Sequence, residues 1–141
     1  MVKKINTDDL NNLCKNTLIE NLGIEFTEIS LGHVVARMPV DKRTIQPMKR
    51  LHGGAIMALA ESVGSAGSLA LIDPSLFMVL GVEISGSHVG TTSEKVVFAE
   101  ATIVHQGNGS HVWEILVKDE NKILISVCRL TNRIIPIKTK D

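Results

Sequence analysis

The spacing of apolar residues changes from helical to alternating near the N-terminus. In residues 10–22 leucines stand three to five positions apart, which predicts a helix. Thr7 is its expected cap and Gly23 its expected end, and a break at Asn16–Thr17 would divide it in two. From residue 24 onward apolar and polar side chains alternate, with a slip at Glu28 that is typical of a β-bulge. Residues 34–40 alternate again and predict a second strand.

A long segment of small and apolar residues follows a polar loop at 41–51. It runs from Gly53 to about Ile72, where Asp73-Pro74 ends it, and it predicts a single helix. Its glycines and serines lower helix propensity by up to about 1 kcal/mol each relative to alanine. Because such a helix is stable only when other elements pack on most of its sides, we expect it to be buried.

Four runs rich in β-branched residues occupy the rest of the chain, at about 76–90, 94–106, 110–119 and 123–137. The segments 106–110 and 119–122 carry turn residues between the last three runs. Strands and helices do not alternate along the chain. The pattern therefore predicts an α+β fold, in which an antiparallel meander wraps one long helix, within a single domain spanning residues 1–141.

Composition and charge narrow the function classes. The 141 residues are 44% apolar and 21% charged, and the fifteen acidic and fifteen basic side chains give a net charge of zero. No bulk charge attracts nucleic acid or an anionic membrane, and aromatics at 3% weaken any base-stacking role. Residues 53–72 approach membrane-spanning length but include Glu61, which disfavours a transmembrane helix.

Cysteine content and the N-terminus indicate a cytoplasmic protein. Cys14 and Cys128 form neither a disulfide framework nor a metal-ligand spacing, so we expect both to be reduced and structural. The first residues contain lysines without a following apolar run, which disfavours a signal peptide. No cluster of His, Cys and Asp has metal-ligand spacing, and we expect no metal.

The start and middle of the long helix carry the candidate chemistry. Gly53 and Gly54 stand where backbone N–H groups are free, which favours binding of an anion or a developing oxyanion. Glu61 is the lone carboxylate of the helix and suits a nucleophile or a base that activates water. Gln46 and His52 could orient a carbonyl or a water, and Ser65 could hydrogen-bond the carboxylate.

Helix geometry separates these groups. Gly54, Glu61 and Ser65 share one helix face, but the rise from Gly54 to Glu61 is roughly 10 Å. One helix therefore cannot easily bring both groups to one carbonyl, whereas two antiparallel copies related by a two-fold axis could. Structural explanations stay open for Glu61 as a bonded buried acid, for His52 as a satisfied histidine and for the two glycines as packing positions.

The same stretch resembles hotdog-fold acyl-CoA thioesterases. The likeness is strongest to those of the phenylacetate pathway, the Arthrobacter-type 4-hydroxybenzoyl-CoA thioesterases and the 1,4-dihydroxy-2-naphthoyl-CoA thioesterases. The matching residues are Gln46, His52–Ala55, Ala58–Ser62, Met38–Asp41, Arg43–Pro47, Gly81–Ile84, His88-Val89 and Val112-Trp113.

The resemblance implies a hotdog fold, a homodimer or dimer of dimers with the active site at the dimer interface, and hydrolysis of an acyl-CoA without a cofactor. Glu61 would be the catalytic carboxylate and the Gly53 amide the oxyanion donor, and Gln46, His52 and Ser65 would assist them. The CoA arm would contact Gly54, Gly81, His88, Val89, Gly90, Thr91, Gly107, Asn108, Gly109 and Ser110. Relatives often carry basic residues after the His-Val pair and in the hairpin loop, and this chain does not.

Other functions of the same fold remain to be compared. A non-catalytic acyl-CoA binder would normally need an effector module, for which no residues remain. A hydratase or dehydratase generally places its acid and histidine differently. The acyl group is undecided between aromatic and medium-chain aliphatic, and Met48, Met57 and Ser68 are candidates to line its pocket.

Overall fold

Two short helices begin the chain. The computed structural model describes residues 4–138, with α1 at Thr7–Leu13 and α2 at Leu18–Asn21. The predicted break is confirmed, since Asn16 has a φ of 61°. The predicted Thr7 cap is wrong: Asn6 caps α1 and exchanges hydrogen bonds with Asp9 in a capping box.

Six strands form one antiparallel sheet. They are β1 Glu25–Ser30, β2 His33–Pro39, β3 Phe77–His88, β4 Val96–Gln106, β5 Ser110–Asp119 and β6 Leu124–Pro136. Their order across the sheet is β1-β2-β4-β5-β6-β3. The β1 register shifts between Phe26 and Glu28, so the predicted bulge is confirmed.

The predicted meander is only partly right. Strands β4, β5 and β6 are consecutive neighbours, but β3 pairs with β6 and not with β4, which instead pairs with β2. The β-branched composition of residues 76–90 indicated a strand without specifying its neighbours. Strand β3 is therefore an edge of the sheet, and the segment from β3 to β4 crosses to the opposite half.

Helix α3, Gly53–Ala70, lies inside the curved sheet and contributes half of its residues to the core. An added Cβ would overlap the Trp113 indole ring at Gly67 and the Leu130 side chain at Gly64. Small residues thus let the helix approach β5, and the expected burial is confirmed.

Strand β3 presents a long, largely uncovered edge. It has twelve residues, and its apolar side chains Met78, Leu80 and Val82 are 43%, 47% and 56% exposed. Open edges of this length are ready to pair with another strand, and proteins usually cover them. Among residues 4–138, β3 pairs with another strand only on the β6 side.

Candidate active site

The N-terminus of α3 presents one free backbone donor. His52 is the N-cap, and its Nδ1 accepts a hydrogen bond of 2.7 Å from the Gly54 N–H. The Gly53 N–H has no partner among residues 4–138. Since the helix dipole adds partial positive charge here, Gly53 rather than Gly54 can donate to an oxyanion.

Gln46 shapes the loop that leads into this helix. Its backbone N–H donates to the Arg50 carbonyl at 2.8 Å, and its side-chain Oε1 accepts from the Met48 N–H. The His52 N–H donates to the Thr44 carbonyl at 2.8 Å, which ties the loop to the helix start. In this arrangement both Gln46 and His52 accept hydrogen bonds from the backbone of the site, and the Gln46 amide NH2 is the group that could donate to a thioester carbonyl.

His88 closes one side of the Gly53 amide. Its Nδ1 lies 2.9 Å from the Ser126 hydroxyl, which in turn donates to the Ser87 carbonyl at 3.2 Å. A Cβ on Gly53 would stand 2.8 Å from His88 Nε2, so the imidazole occupies the space that a side chain would need. A glycine is therefore required at the helix start for close packing against this histidine.

Glu61 lies two turns further along α3 and faces β3. The side chain is half-buried, and its carboxylate has no hydrogen-bond or ion-pair partner within residues 4–138. Oε1 rests against Gly81, where a Cβ would overlap it. The β3 register shifts between Gly81 and Glu83, so the carboxylate lies beside a bulge in the edge strand.

Ser65 bonds a different group from the one expected. Its hydroxyl donates at 3.5 Å to Oδ1 of Asn132, a fully buried residue on β6, and not to Glu61. Asn132 Nδ2 donates to the Gly64 carbonyl at 3.3 Å and to the Ser68 hydroxyl at 2.9 Å. The chain thus fixes the amide orientation of Asn132 and occupies the proton of Ser65.

Gly53 and Glu61 are not brought together within one chain. Eight residues of helix separate them, which corresponds to about 12 Å along the axis. Residues 88–91 lie beside the N-terminal end of α3, since His88 packs on Gly53. The hairpin loop 107–110 lies at the other end, since Ser110 pairs with Arg133 and Arg133 pairs with Leu80 near the start of β3. The two segments expected to contact CoA are therefore at opposite ends of the chain's own helix.

An apolar cavity opens beside the face of α3 that carries Glu61. Its volume is about 420 Å³, and α1, α2, α3 and β3 all contribute to its wall. The lining residues include Leu10, Ile19, Ser62, Ser65, Ala66, Leu69, Phe77 and Val79. A larger hollow of about 690 Å³ lies beyond it at Leu69–Pro74, and neither hollow has Glu61 or Gly53 in its wall.

The three residues expected to line an acyl pocket are not in this cavity. Met48 is 80% exposed on the loop before α3, and Met57 packs near Gly86. Ser68 is fully buried and does not line this cavity.

Ser68 belongs to a polar cluster in the core. Its hydroxyl lies 2.9 Å from His111 Nδ1, Trp113 Nε1 and Asn132 Nδ2. Burial lowers the pKa of His111 below its ordinary value, and the nearby His105 lowers it further. Sequence inspection missed Asn132 and Ser126, because a lone polar residue in a strand of alternating residues gives no sign of what it faces.

Two other classes of site find no support in the described residues. Over positions 4–138 no three His, Cys, Asp or Glu side chains cluster as metal ligands would. None of the helices within that range is long and apolar enough to cross a membrane. Burial raises the pKa of the Cys128 thiol, which disfavours a reactive thiolate there.

The family model and the similar proteins agree on one family for this chain. The family model described as the thioesterase superfamily matches residues 48–126. A Pasteurella multocida protein whose name places it only among the esterases is 42% identical over 92% of each chain. The proofreading thioesterase EntH of Klebsiella pneumoniae is 40% identical over 86% of this chain and 88% of its own.

A solved structure agrees in architecture as well as in sequence. The crystal structure of a mutant of thioesterase PA1618 from Pseudomonas aeruginosa superposes with a TM-score of 0.93 at 34% identity, covering 96% of this chain and 97% of the other. The long helix inside a six-stranded antiparallel sheet is the hotdog architecture. The chain therefore belongs to the thioesterase superfamily, has its hotdog fold, and is a hydrolase of thioesters.

Proposed function

We propose that the protein hydrolyses acyl-CoA thioesters at a site shared by two copies of the chain, with Glu61 of one copy and the Gly53 amide of the other. The observation that carries this proposal is the pairing of two unsatisfied groups on one helix. Within residues 4–138, neither the half-buried Glu61 carboxylate nor the Gly53 N–H has a hydrogen-bond partner. Both groups are partly exposed, so each is free to engage a substrate.

The chemistry divides between these two groups. The Gly53 N–H and the helix dipole stabilise the negative charge that develops on the thioester oxygen. Glu61 either takes a proton from a water that attacks the carbonyl carbon or attacks that carbon itself, forming an anhydride that water then cleaves. In both routes the carbon–sulfur bond breaks, and the proton from water ends on the departing CoA thiolate.

The edge strand supports a shared site. Gly81 of β3 lies beside Glu61, and His88, seven residues later, lies beside Gly53. Pairing β3 with β3 of a second copy, antiparallel and centred between Ile84 and Ser85, sets Gly81 of one copy opposite His88 of the other. The acid of each copy then faces the helix start of its partner, and the exposed apolar residues of β3 become covered.

The same pairing brings the CoA segments together. It moves the 107–110 loop of one copy toward residues 88–91 of the other, although they lie apart within one chain. Backbone N–H groups of these glycine-containing turns could hold phosphate oxygens in place of the basic side chains that this chain lacks. Lys49 and Arg50 are exposed close by, and Arg50 reaches Ser93 at 3.5 Å.

The cavity beside Glu61 suits the acyl group. It has no charged side chain in its wall, and its volume of about 420 Å³ accommodates an aromatic ring or a medium aliphatic chain. Its polar groups are confined to two serines on α3 and the Cys14 thiol. A dimer of dimers and a cytoplasmic location stay predictions.

Mixed oligomers of two inactive variants test the shared site. Glu61→Ala removes the acid, and Gly53→Pro removes the oxyanion donor at a first helical position. The proline backbone is tolerated there after the extended His52, although its ring displaces the His88 imidazole. Each variant alone should lose at least about 100-fold in kcat. After joint unfolding and refolding, a shared site regains up to a quarter of the wild-type activity, because half of the chains enter mixed dimers with one intact site.

Each variant refolded by itself is the control, and it should regain no activity. Activity that stays absent in the mixture, although the mixed dimer is detected by mass spectrometry, would place the whole site within one chain. A wild-type protein that binds acyl-CoA but hydrolyses no member of a panel of aromatic and aliphatic acyl-CoAs would favour the non-catalytic binder.

A further inference from the structure

Gly81 makes room for the catalytic acid. The Glu61 side chain extends from α3 across to β3, and its Oε1 occupies the place where a Cβ on residue 81 would stand. Gly81 has neither a positive φ nor a tight turn that would otherwise require glycine. The close approach of Glu61 is therefore the local reason for a glycine at this position.

The surroundings leave the carboxylate little freedom if that space is filled. Asn132 is the β6 residue opposite Gly81, and its Oδ1 is 3.6 Å from the same Cβ position. Its amide is held by hydrogen bonds to Gly64 and Ser68, so it cannot move aside cheaply. A carboxylate also avoids the Asn132 oxygen, since both are acceptors. A methyl group at residue 81 would thus push the Glu61 head away from Asn132 and from the bulge.

We infer that Gly81 is a positioning residue, which together with the β3 bulge determines how far the acid at residue 61 reaches into the active site. This inference rests on the proposed function of Glu61. Within it, Gly81 belongs to the machinery of the acid and not to the CoA-binding surface. A glutamate requires glycine opposite it, whereas an aspartate, one methylene shorter, leaves space for a methyl group.

A two-by-two set of variants tests this length relation: wild type, Gly81→Ala, Glu61→Asp and the double variant. Gly81→Ala should keep its thermal stability within a few degrees, since only the flexible end of Glu61 must move. Its kcat should fall by about 100-fold with little change in KM, because displacement of a reacting group by about 1 Å costs that much. The double variant should have a higher kcat than Gly81→Ala alone.

Gly86→Ala is the matched control on the same strand. Its new methyl group meets Met57 and Cys128 but not Glu61, so its effect should multiply with that of Glu61→Asp. The inference would be overturned if Gly81→Ala had the kcat of the wild type. It would also be overturned if the effects of Gly81→Ala and Glu61→Asp on kcat simply multiplied in the double variant.

Crystal structures separate this inference from the proposed function. Absence of turnover in the wild type, or full turnover in Glu61→Ala, would refute the proposed function alone. The Gly81→Ala structure would then still decide the inference, because a Glu61 carboxylate in its wild-type place would refute it and a displaced one would support it.

Discussion

Replacing Ser68 with alanine should cost far more stability than the loss of one small hydroxyl normally does. The Ser68 oxygen accepts from Trp113 Nε1 and from Asn132 Nδ2, which uses both of its lone pairs. Its only proton is therefore left for His111 Nδ1, and His111 is a neutral imidazole with hydrogen on Nε2. All four residues are at least 97% buried, so water cannot replace the missing oxygen without a cavity to hold it.

The magnitude follows from the groups left behind. Asn132 Nδ2 keeps its bond to the Gly64 carbonyl, whereas Trp113 Nε1 loses its acceptor. A stranded buried donor costs about 1–3 kcal/mol, and each further lost bond costs about 1 kcal/mol. With one stranded donor and two further lost bonds, we expect Ser68→Ala to reduce the free energy of unfolding by about 3–5 kcal/mol. At about 4 °C per kcal/mol for a chain of this size, Tm should fall by roughly 12–20 °C.

Urea unfolding followed by Trp113 fluorescence measures this change directly. Ser62→Ala is the matched control: Ser62 is on the same helix but donates only to the Ala58 carbonyl at 2.6 Å, so its removal should change stability by less than about 0.5 kcal/mol. In a Trp113→Phe background, Ser68→Ala should cost less, because the stranded donor is gone. Far-ultraviolet circular dichroism follows unfolding in that background, since the sequence then holds no tryptophan. A cost equal to that of the control would refute the assigned hydrogen-bond directions.

Two further predictions concern pH and substrate size. Burial lowers the pKa of His111 below 6.5, so below that pH the unfolded chain binds more protons than the folded one. The free energy of unfolding should therefore fall as pH drops from 6.5 toward the lowered pKa. In His111→Gln it should fall less steeply. Urea titrations across this range measure it, and equal slopes would contradict it. Ala66→Leu places a larger side chain in the apolar cavity of about 420 Å³. It should lower the ratio of kcat/KM for medium-chain acyl-CoA to kcat/KM for acetyl-CoA by at least about tenfold. An unchanged ratio would show that the acyl group binds elsewhere.

The sequence predicted the helices and strands better than it predicted which strands pair with each other. The bulge before Glu28, the break near Asn16 and the buried α3 each depend on local chemistry or on composition, and the structure contains all three. The position of β3 at the sheet edge depends on which long-range pairs form. Composition carries no information about that choice, because β-branched residues suit a strand in either place.

For the active site, the sequence reveals which residues have distinctive chemistry but not which residues they contact in the fold. A lone acid on an apolar helix and two glycines at its start stood out from their surroundings, which is why Glu61 and Gly53 were singled out. The partner of Ser65 was not recognisable, since Asn132 lies sixty-seven residues away and meets it only after β6 has paired with β3. Gly81 was assigned to the CoA arm, although the structure places it against Glu61.

The glycines of α3 have a consequence for the order in which the chain folds. Alanine at Gly64 would overlap Leu130 and alanine at Gly67 would overlap Trp113, so the helix keeps a low propensity. It therefore has little tendency to form ahead of the sheet that encloses it. That sheet depends on distant pairs, such as β2 with β4 across some sixty residues. Helix and sheet should thus consolidate together in one slow, topology-limited step, after which Glu61 and Gly53 first acquire their places.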